Sequence, residues 1–161
     1  MILAKLEPEQ IAVHWPLIKN AVFASLPPFA VKDQNRAEFM ASAIYTDLIE
    51  GQMQVWFWPL NEVPPKNVIV TSVLWDEHSR TSSLCVYAFW EVPQGLRIGQ
   101  ERKNGMMSAA TWKSGIEEIY AFAKGLGCRQ IIAYTLNTKI SDILRALSFN
   151  EQRCWTLEIR E

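Results

Sequence analysis

Residues Ile116–Phe149 read IEEIYAFAKGLGCRQIIAYTLNTKISDILRALSF, and the spacing of apolar residues changes twice within them. Trp112, Ile116, Ile119, Ala123 and Leu126 recur at helical steps, which predicts a helix from about Ser108 to Gly125 with one apolar face. Gly127 fits the position just past a helix C-cap. Gln130–Tyr134 is apolar over too few residues for a helix and reads as a short buried strand. In Asn137–Leu147 the helical step returns, carried by Ile140, Ile143, Leu144 and Leu147.

Working outward, three segments rich in Val, Ile, Trp, Phe and Tyr precede this unit: Met53–Trp58, Asn67–Trp75 and Ser82–Glu91. The short polar joints Asn61–Lys66 and Asp76–Thr81 make them an antiparallel meander. Pro59, Pro64, Pro65 and Pro93 all stand outside strand interiors, as their missing N–H requires. The stretch from Ser82 to Tyr134 is strand, helix, strand, so a right-handed crossover leaves those two strands parallel. Before the meander, Ile11, Trp15, Ile18, Val22 and Leu26 give one helical face over Glu7–Leu26, with a kink or restart expected at Pro16 and an end at Pro27-Pro28. Asp33 caps a second helix whose apolar face is Ala37, Met40, Ala41, Ile44 and Leu48, and Gly51 stops it. Met1–Leu6 reads as an edge strand and Cys154–Ile159 as a final strand. The expectation is an α+β chain, a single domain over residues 1–161, with a mixed sheet of about six strands and helices on both faces. In such sheets ligands bind beyond the carboxyl ends of parallel strands, here Trp90–Met107 and Thr135–Lys139.

Composition narrows the function. The chain has 161 residues, 49% of them hydrophobic and 20% charged, the make-up of a folded globular domain. Lys+Arg number 16 against 17 Asp+Glu, a balance that does not suit a broad phosphate-neutralising surface, so no nucleic-acid partner is expected. No apolar run reaches the ~20 residues of a membrane span, and no secretory signal is present, so neither a membrane nor export is expected. Cys85, Cys128 and Cys154 form no CxxC pair and cannot all pair with one another, which points to a reducing, cytoplasmic setting. With only His14 and His78 and no ligand spacing, no metal site is expected. Seven tryptophans, at 15, 56, 58, 75, 90, 112 and 155, are either core or ligand platforms.

The order of elements resembles that of the GNAT acyl-CoA N-acyltransferases. After the last long strand, that family often shows Asn-x-x-Ala-x-x-x-Tyr-x-x-x-Gly-Phe. This chain has Asn137, Ile140, Leu144, Ser148 and Phe149 at the same offsets, with Asn137 and Phe149 keeping the residue type. The resemblance implies acetyl-CoA or another acyl-CoA as acyl donor, and an amine, on a small molecule or a protein, as acceptor. The family's tyrosine, commonly the acid that protonates the departing thiolate, is Leu144 here, which has no proton to give. The family's pyrophosphate loop reads Gln/Arg-x-x-Gly-x-Gly/Ala; its nearest match is Arg102-Lys103-Asn104-Gly105-Met106-Met107, where Met107 replaces the small residue. Arg97, Arg102 and Lys103 against Glu101 still give that loop a local charge of +2. Four segments, HWPLIKNAV, DLIEGQMQVWFW, VIVTSVLWD and AKGLGCRQI, are similar to GNAT-like proteins of tailed bacteriophages and prophages.

The resemblance assigns cofactor binding to Val92, Arg97, Gly99, Arg102, Lys103, Asn104, Gly105 and Asn137. Glu91, at the end of its strand, is the candidate acceptor of the amine proton. Tyr134 is the candidate acid in place of Leu144, and Trp56, Trp58 and Trp90 are candidate walls of the acceptor cleft. Asp76, Glu77 and His78 adjoin in a hairpin turn, where Asp serves the backbone, and His14 reads as a surface residue of the first helix. The rival function is a GNAT-fold phage accessory or virion-associated protein without activity. It would use a tryptophan-rich surface to bind another protein or to form a homodimer.

Overall fold

The computed structural model of the chain describes residues 3–58, 65–92, 109–134 and 138–151. Along these run β1 (Ala4–Lys5), α1 (Pro8–Ser25), α2 (Pro28–Val31), α3 (Gln34–Ile49), β2 (Met53–Trp58), β3 (Asn67–Asp76), β4 (Thr81–Glu91), α4 (Ala109–Gly125), β5 (Gln130–Ala133) and α5 (Thr138–Ala146). The strands make one sheet in the order β1-β2-β3-β4-β5. β1 through β4 pair antiparallel, and β4 pairs parallel with β5, so the meander and the crossover are both present. Among the described residues the mixed sheet has five strands, where about six are expected from the sequence. The expected sixth, Cys154–Ile159, lies outside the described residues.

α1 opens on Pro8, and the Glu7 N–H donates to Gln10 Oε1 at 2.9 Å, closing one of the donors a helix start leaves open. The expected restart at Pro16 is corrected: α1 runs through it as one helix. Pro16 lies on the exposed face, away from buried Ile11, Ile18, Ala21 and Val22, and the Ala12 carbonyl whose donor it removes is in an exposed residue that water can reach. Past Pro27 the chain makes the four-residue α2, which the sequence reading ended too early to include. α3 begins as expected, with the Asp33 carboxylate accepting from Asn35 N at 2.9 Å and Arg36 N at 3.2 Å. Asp33→Ala is therefore expected to cost about 1 kcal/mol, a melting temperature lower by about 2–4 °C in a thermal scan. Gly51 ends this helical region at φ +78, a conformation that favours glycine.

Period-two alternation divides the sheet between two cores. On one face Val55, Phe57, Val68, Val70, Ala88 and Val92 pack against Ile11, Ile18 and Val22 of α1 and Ala41, Ile44 and Leu48 of α3. On the other, Trp56, Trp58, Ile69 and Leu84 lie beneath Ile119 and Ala123 of α4, with Ile143 and Leu147 of α5 at the margin. Each fully buried aliphatic side chain contributes about 1.5–3 kcal/mol, so the two faces carry most of the folding free energy. No helix among the described residues is long and apolar enough to cross a membrane.

Candidate active site at the carboxyl ends of two parallel strands

Among the described residues, the pairing of β4 with β5 covers four residue pairs. It runs from Ser83↔Gln130 to Val86↔Ala133, while β4 continues to Glu91. β4 also carries a shift in its register with β3. Val70 faces Ala88 and Thr71 faces Val86, so Tyr87 is one residue too many on β4, a β-bulge. A bulge bends a strand and resets which way its residues point. The reset appears here. Before the bulge the Ser82 carbonyl accepts from Arg129 N at 2.8 Å, which turns the polar groups of even-numbered residues toward β5. After it, Val92 N donates to the Lys66 carbonyl at 2.8 Å, which turns even-numbered residues toward the β3 side. The backbone groups of Phe89 and Glu91 therefore face the β5 side beyond the last ladder pair.

The side chains follow the same reset. Val86 belongs to the α4 face, Tyr87 and Ala88 both belong to the α1 face, Phe89 returns to the α4 face, and Trp90 and Val92 lie on the α1 face. Trp90 is half-buried and Glu91 is exposed at the strand end. Glu91 is level with Asn67, and Asn67 with Trp58, so all three strands end in one row. α4 follows β4 and runs back to the start of β5. Its N-terminal end, the positive end of the helix dipole, is therefore at the same end of the sheet as Glu91. Gly115 lets it lie close there: a Cβ on Gly115 would meet Trp58 Cη2 at 2.7 Å.

Of the expected site residues, Glu91, Trp90 and Tyr134 are brought to this end of β4 and β5, with Tyr134 67% exposed just past β5. Two placements are corrected. Trp56 and Trp58 do not line an open cleft: at 5% and 1% exposure they are core beneath α4, because period two directs both to the face that α4 covers. Val92 is buried in the α1 core and its N–H is taken by the Lys66 carbonyl, so its backbone donor is not presented to a ligand. Arg97, Gly99, Arg102, Lys103, Asn104, Gly105 and Asn137 lie outside the described residues. His14 is not a simple surface group: its ring lies 5.1 Å from that of Phe57. Asp76 closes β3, and Glu77 and His78 stand in the turn after it, where a turn was expected. Asp76 accepts from His78 N at 2.9 Å, and the Ser79 hydroxyl bond above all holds its carboxyl below the usual carboxylate range.

Burial pushes the Cys85 and Cys128 thiols up, so neither is an activated nucleophile. Burial, with Cys85 nearby, also pushes the Tyr87 phenol up. Tyr87 and Gly115 are the two site-end residues that sequence reasoning missed. A lone glycine early in an amphipathic helix was a signal for the second; nothing in the sequence marks the bulge.

Solved structures share this architecture. A probable acetyltransferase superposes with a TM-score of 0.66 at 11% identity, over 100% of this chain and 99% of that one. A predicted acetyltransferase with acetyl-CoA from Clostridium acetobutylicum gives 0.63 at 13% identity, over 99% and 95%. An aminoglycoside acetyltransferase in complex with a CoA-containing bisubstrate analogue gives 0.62 at 14% identity, over 99% and 97%. The chain has the GNAT fold. No family model and no curated protein matches the sequence. At these identities the likeness establishes the GNAT fold alone.

Proposed function

We propose that this chain is an acyl-CoA-dependent N-acyltransferase, one GNAT-like domain that moves an acyl group, acetyl in the first instance, onto an amine. The observation that carries the reading is that, among the described residues, the parallel β4–β5 ladder reaches Val86↔Ala133 while β4 runs on to Glu91. It puts the end of β4, with Trp90 and Glu91, at the carboxyl end of a parallel pair, the end of such sheets where ligands bind. The acetyl-CoA and bisubstrate complexes among the structural neighbours support a thioester as the donor.

The acyl donor is a substrate, consumed at each turnover. Arg97, Gly99, Arg102, Lys103, Asn104, Gly105 and Asn137 are the residues proposed to hold it, through the +2 charge of the loop and the positive end of α4. Glu91, exposed at the end of β4, takes the proton from the attacking amine directly or through water. Trp90 is the remaining tryptophan proposed to touch the acceptor. Positioning supplies much of the rate in such a direct transfer, so Leu144 in place of an acid does not by itself abolish it. The sequence similarity to phage and prophage GNAT-like proteins supports an origin there, with the host cytosol as the site of action.

Thermal melting with millimolar acetyl-CoA tests the reading. Ligand at a hundred times its Kd stabilises by about 2.7 kcal/mol, an expected rise of about 5–11 °C for a chain of this size. The rise should vanish when Arg102→Ala and Lys103→Ala are combined. No shift with acetyl-CoA, CoA or longer acyl-CoAs sinks the reading.

A further inference from the structure

β3 and β4 run on as a hairpin past the start of β2. The β2–β3 ladder stops at Met53↔Ser72, while β3 continues beside β4 to Asp76↔Thr81. Leu6 N donates to the Val55 carbonyl at 2.9 Å, so Val55 faces β1, and Gln54 and Trp56 face β3. Their partners Thr71 and Ile69 face back toward β2, and steps of two carry that direction on to Val73 and Trp75. Past Met53 the N–H and C=O groups of Val73 and Trp75 therefore point into an open lane, and no backbone group among the described residues pairs with them there. The side chains are exposed as well, Leu74 by 43% and Trp75 by 60%. Ser72–Trp75 holds no proline, lysine, bulge or inward charge, the devices that keep an edge strand from pairing. Beside the lane opens a cleft of about 530 Å³, lined by Val73, by Phe122 and Leu126 of the α4 side, and by Gln52 and Met53 at the start of β2.

We propose that this edge is a homodimer interface, occupied by the same edge of a second copy, antiparallel, with Leu74 on the two-fold axis. Register decides the occupant. With Leu74 opposite its own copy, Val73 faces the partner's Trp75, and each such pair exchanges two N–H···O bonds. Ser72 then stands opposite the partner's Asp76, a hydroxyl against a carboxylate, and no like charges meet. Val73 and Trp75 alternate with Leu74 and share the α4 face with Ile69, so the partner's Trp75 lies over the cleft beside Val73, Phe122 and Leu126. The neighbouring registers fail. An axis at Val73 sets the partner's Trp75 against Thr71, whose edge Gln54 already holds. An axis at Trp75 brings the partner's Glu77 against Val73, a carboxylate over the apolar cleft. A second copy thus fills the free stretch from Ser72 to Asp76, and the contact closes at two copies. It buries about 1,000 Å² in all, the low end for a specific contact, so the dimer should dissociate at about 10–100 µM. The edge lies at the opposite end of β3 from Asn67 and its partner Glu91, so both candidate active sites stay open and the proposal stands apart from the acyltransferase reading.

Sedimentation equilibrium of the whole chain across this concentration range tests it. The mass should rise from one copy to two and stop there. Leu74→Lys sets two ammonium groups face to face on the axis and should weaken association about a hundredfold, and Leu74→Glu should do the same with two carboxylates. Both should keep the wild-type melting temperature, measured where the wild-type chain is a single copy, because Leu74 is already exposed. Mixed in equal amounts, the two variants should pair again within about tenfold of wild type, since opposite charges now meet on the axis. Phe39→Lys, at another exposed apolar residue, should leave association unchanged. A chain that stays one copy at every concentration, association that Leu74→Lys leaves intact, growth past two copies, or a mixture that pairs no more tightly than either variant alone overturns the proposal.

Discussion

Gly115→Val is expected to lower the melting temperature by about 6–12 °C, a loss of about 3 kcal/mol. A side chain at this position has nowhere to go. Its Cβ would stand 2.7 Å from Trp58 Cη2 and 2.9 Å from Cζ2 and Cζ3. The ring cannot withdraw, because Trp58 is 1% exposed and is held between the sheet and α4. Either α4 lifts from the sheet or the indole leaves its rotamer, and both cost packing. Alanine should do less damage, since up to about 1 kcal/mol of helix propensity offsets its overpacking. Gly125, at the end of the same helix, has nothing within 4 Å of its Cβ position, so Gly125→Ala should be neutral or raise the melting temperature. Gly115 and Trp58 should also be coupled. In a Trp58→Leu background the cost of Gly115→Ala should shrink, because the atoms it strikes are gone. An equal cost in both backgrounds, read by circular-dichroism melts, removes the steric account. The change also bears on function, since Gly115 sets how closely α4 lies over the row that ends in Glu91.

Thr71→Val should cost about 2 kcal/mol, or about 4–8 °C of melting temperature, although it changes almost no volume. Thr71 is 0% exposed and its hydroxyl accepts from Trp56 Nε1 at 3.0 Å while donating to Gln54 Oε1 at 3.1 Å. Valine leaves the Trp56 N–H, itself 5% exposed and packed edge-on to Phe122, without that acceptor. The penalty is that of a buried donor left unmade, which exceeds the net worth of the bond. Thr71→Ser keeps the hydroxyl and loses only a methyl, so it should be the milder change, about 1 kcal/mol. In Trp56→Phe the donor is absent, and Thr71→Val should then be nearly free. A valine cost that survives Trp56→Phe would falsify the hydrogen-bond explanation.

Much of the fold was legible because its elements obey local rules. Asp33 caps α3 by its own side chain, Gly51 turns left-handed where a helix must stop, and strand segments of β-branched and aromatic residues form β2, β3 and β4 within a residue or so of their expected ends. The parallel pairing of β4 with β5 followed from the strand–helix–strand order alone. The candidate site was legible in part. Glu91, Trp90 and Tyr134 stand at the strand ends, as the crossover required. Trp56 and Trp58 were misplaced because alternation says that two residues share a face but not which helix covers it. Val92 was misplaced, and Tyr87 passed over, because an inserted residue resets the alternation that any strand reading assumes.

The sequence by itself determined the order of elements, the capping of α3, the antiparallel meander, the parallel return strand, and the end of the sheet to which Trp90, Glu91 and Tyr134 are brought. These depend on steps of two and of three to four residues and on the conformations open to Gly, Pro and Asp, all of which are local. Tertiary structure alone decided the bulge at Tyr87, the burial of Trp58 under Gly115, and the pairing of Thr71 with Trp56. Each of these arises where two segments distant in the chain share a register or a space, and no spacing within either segment encodes it.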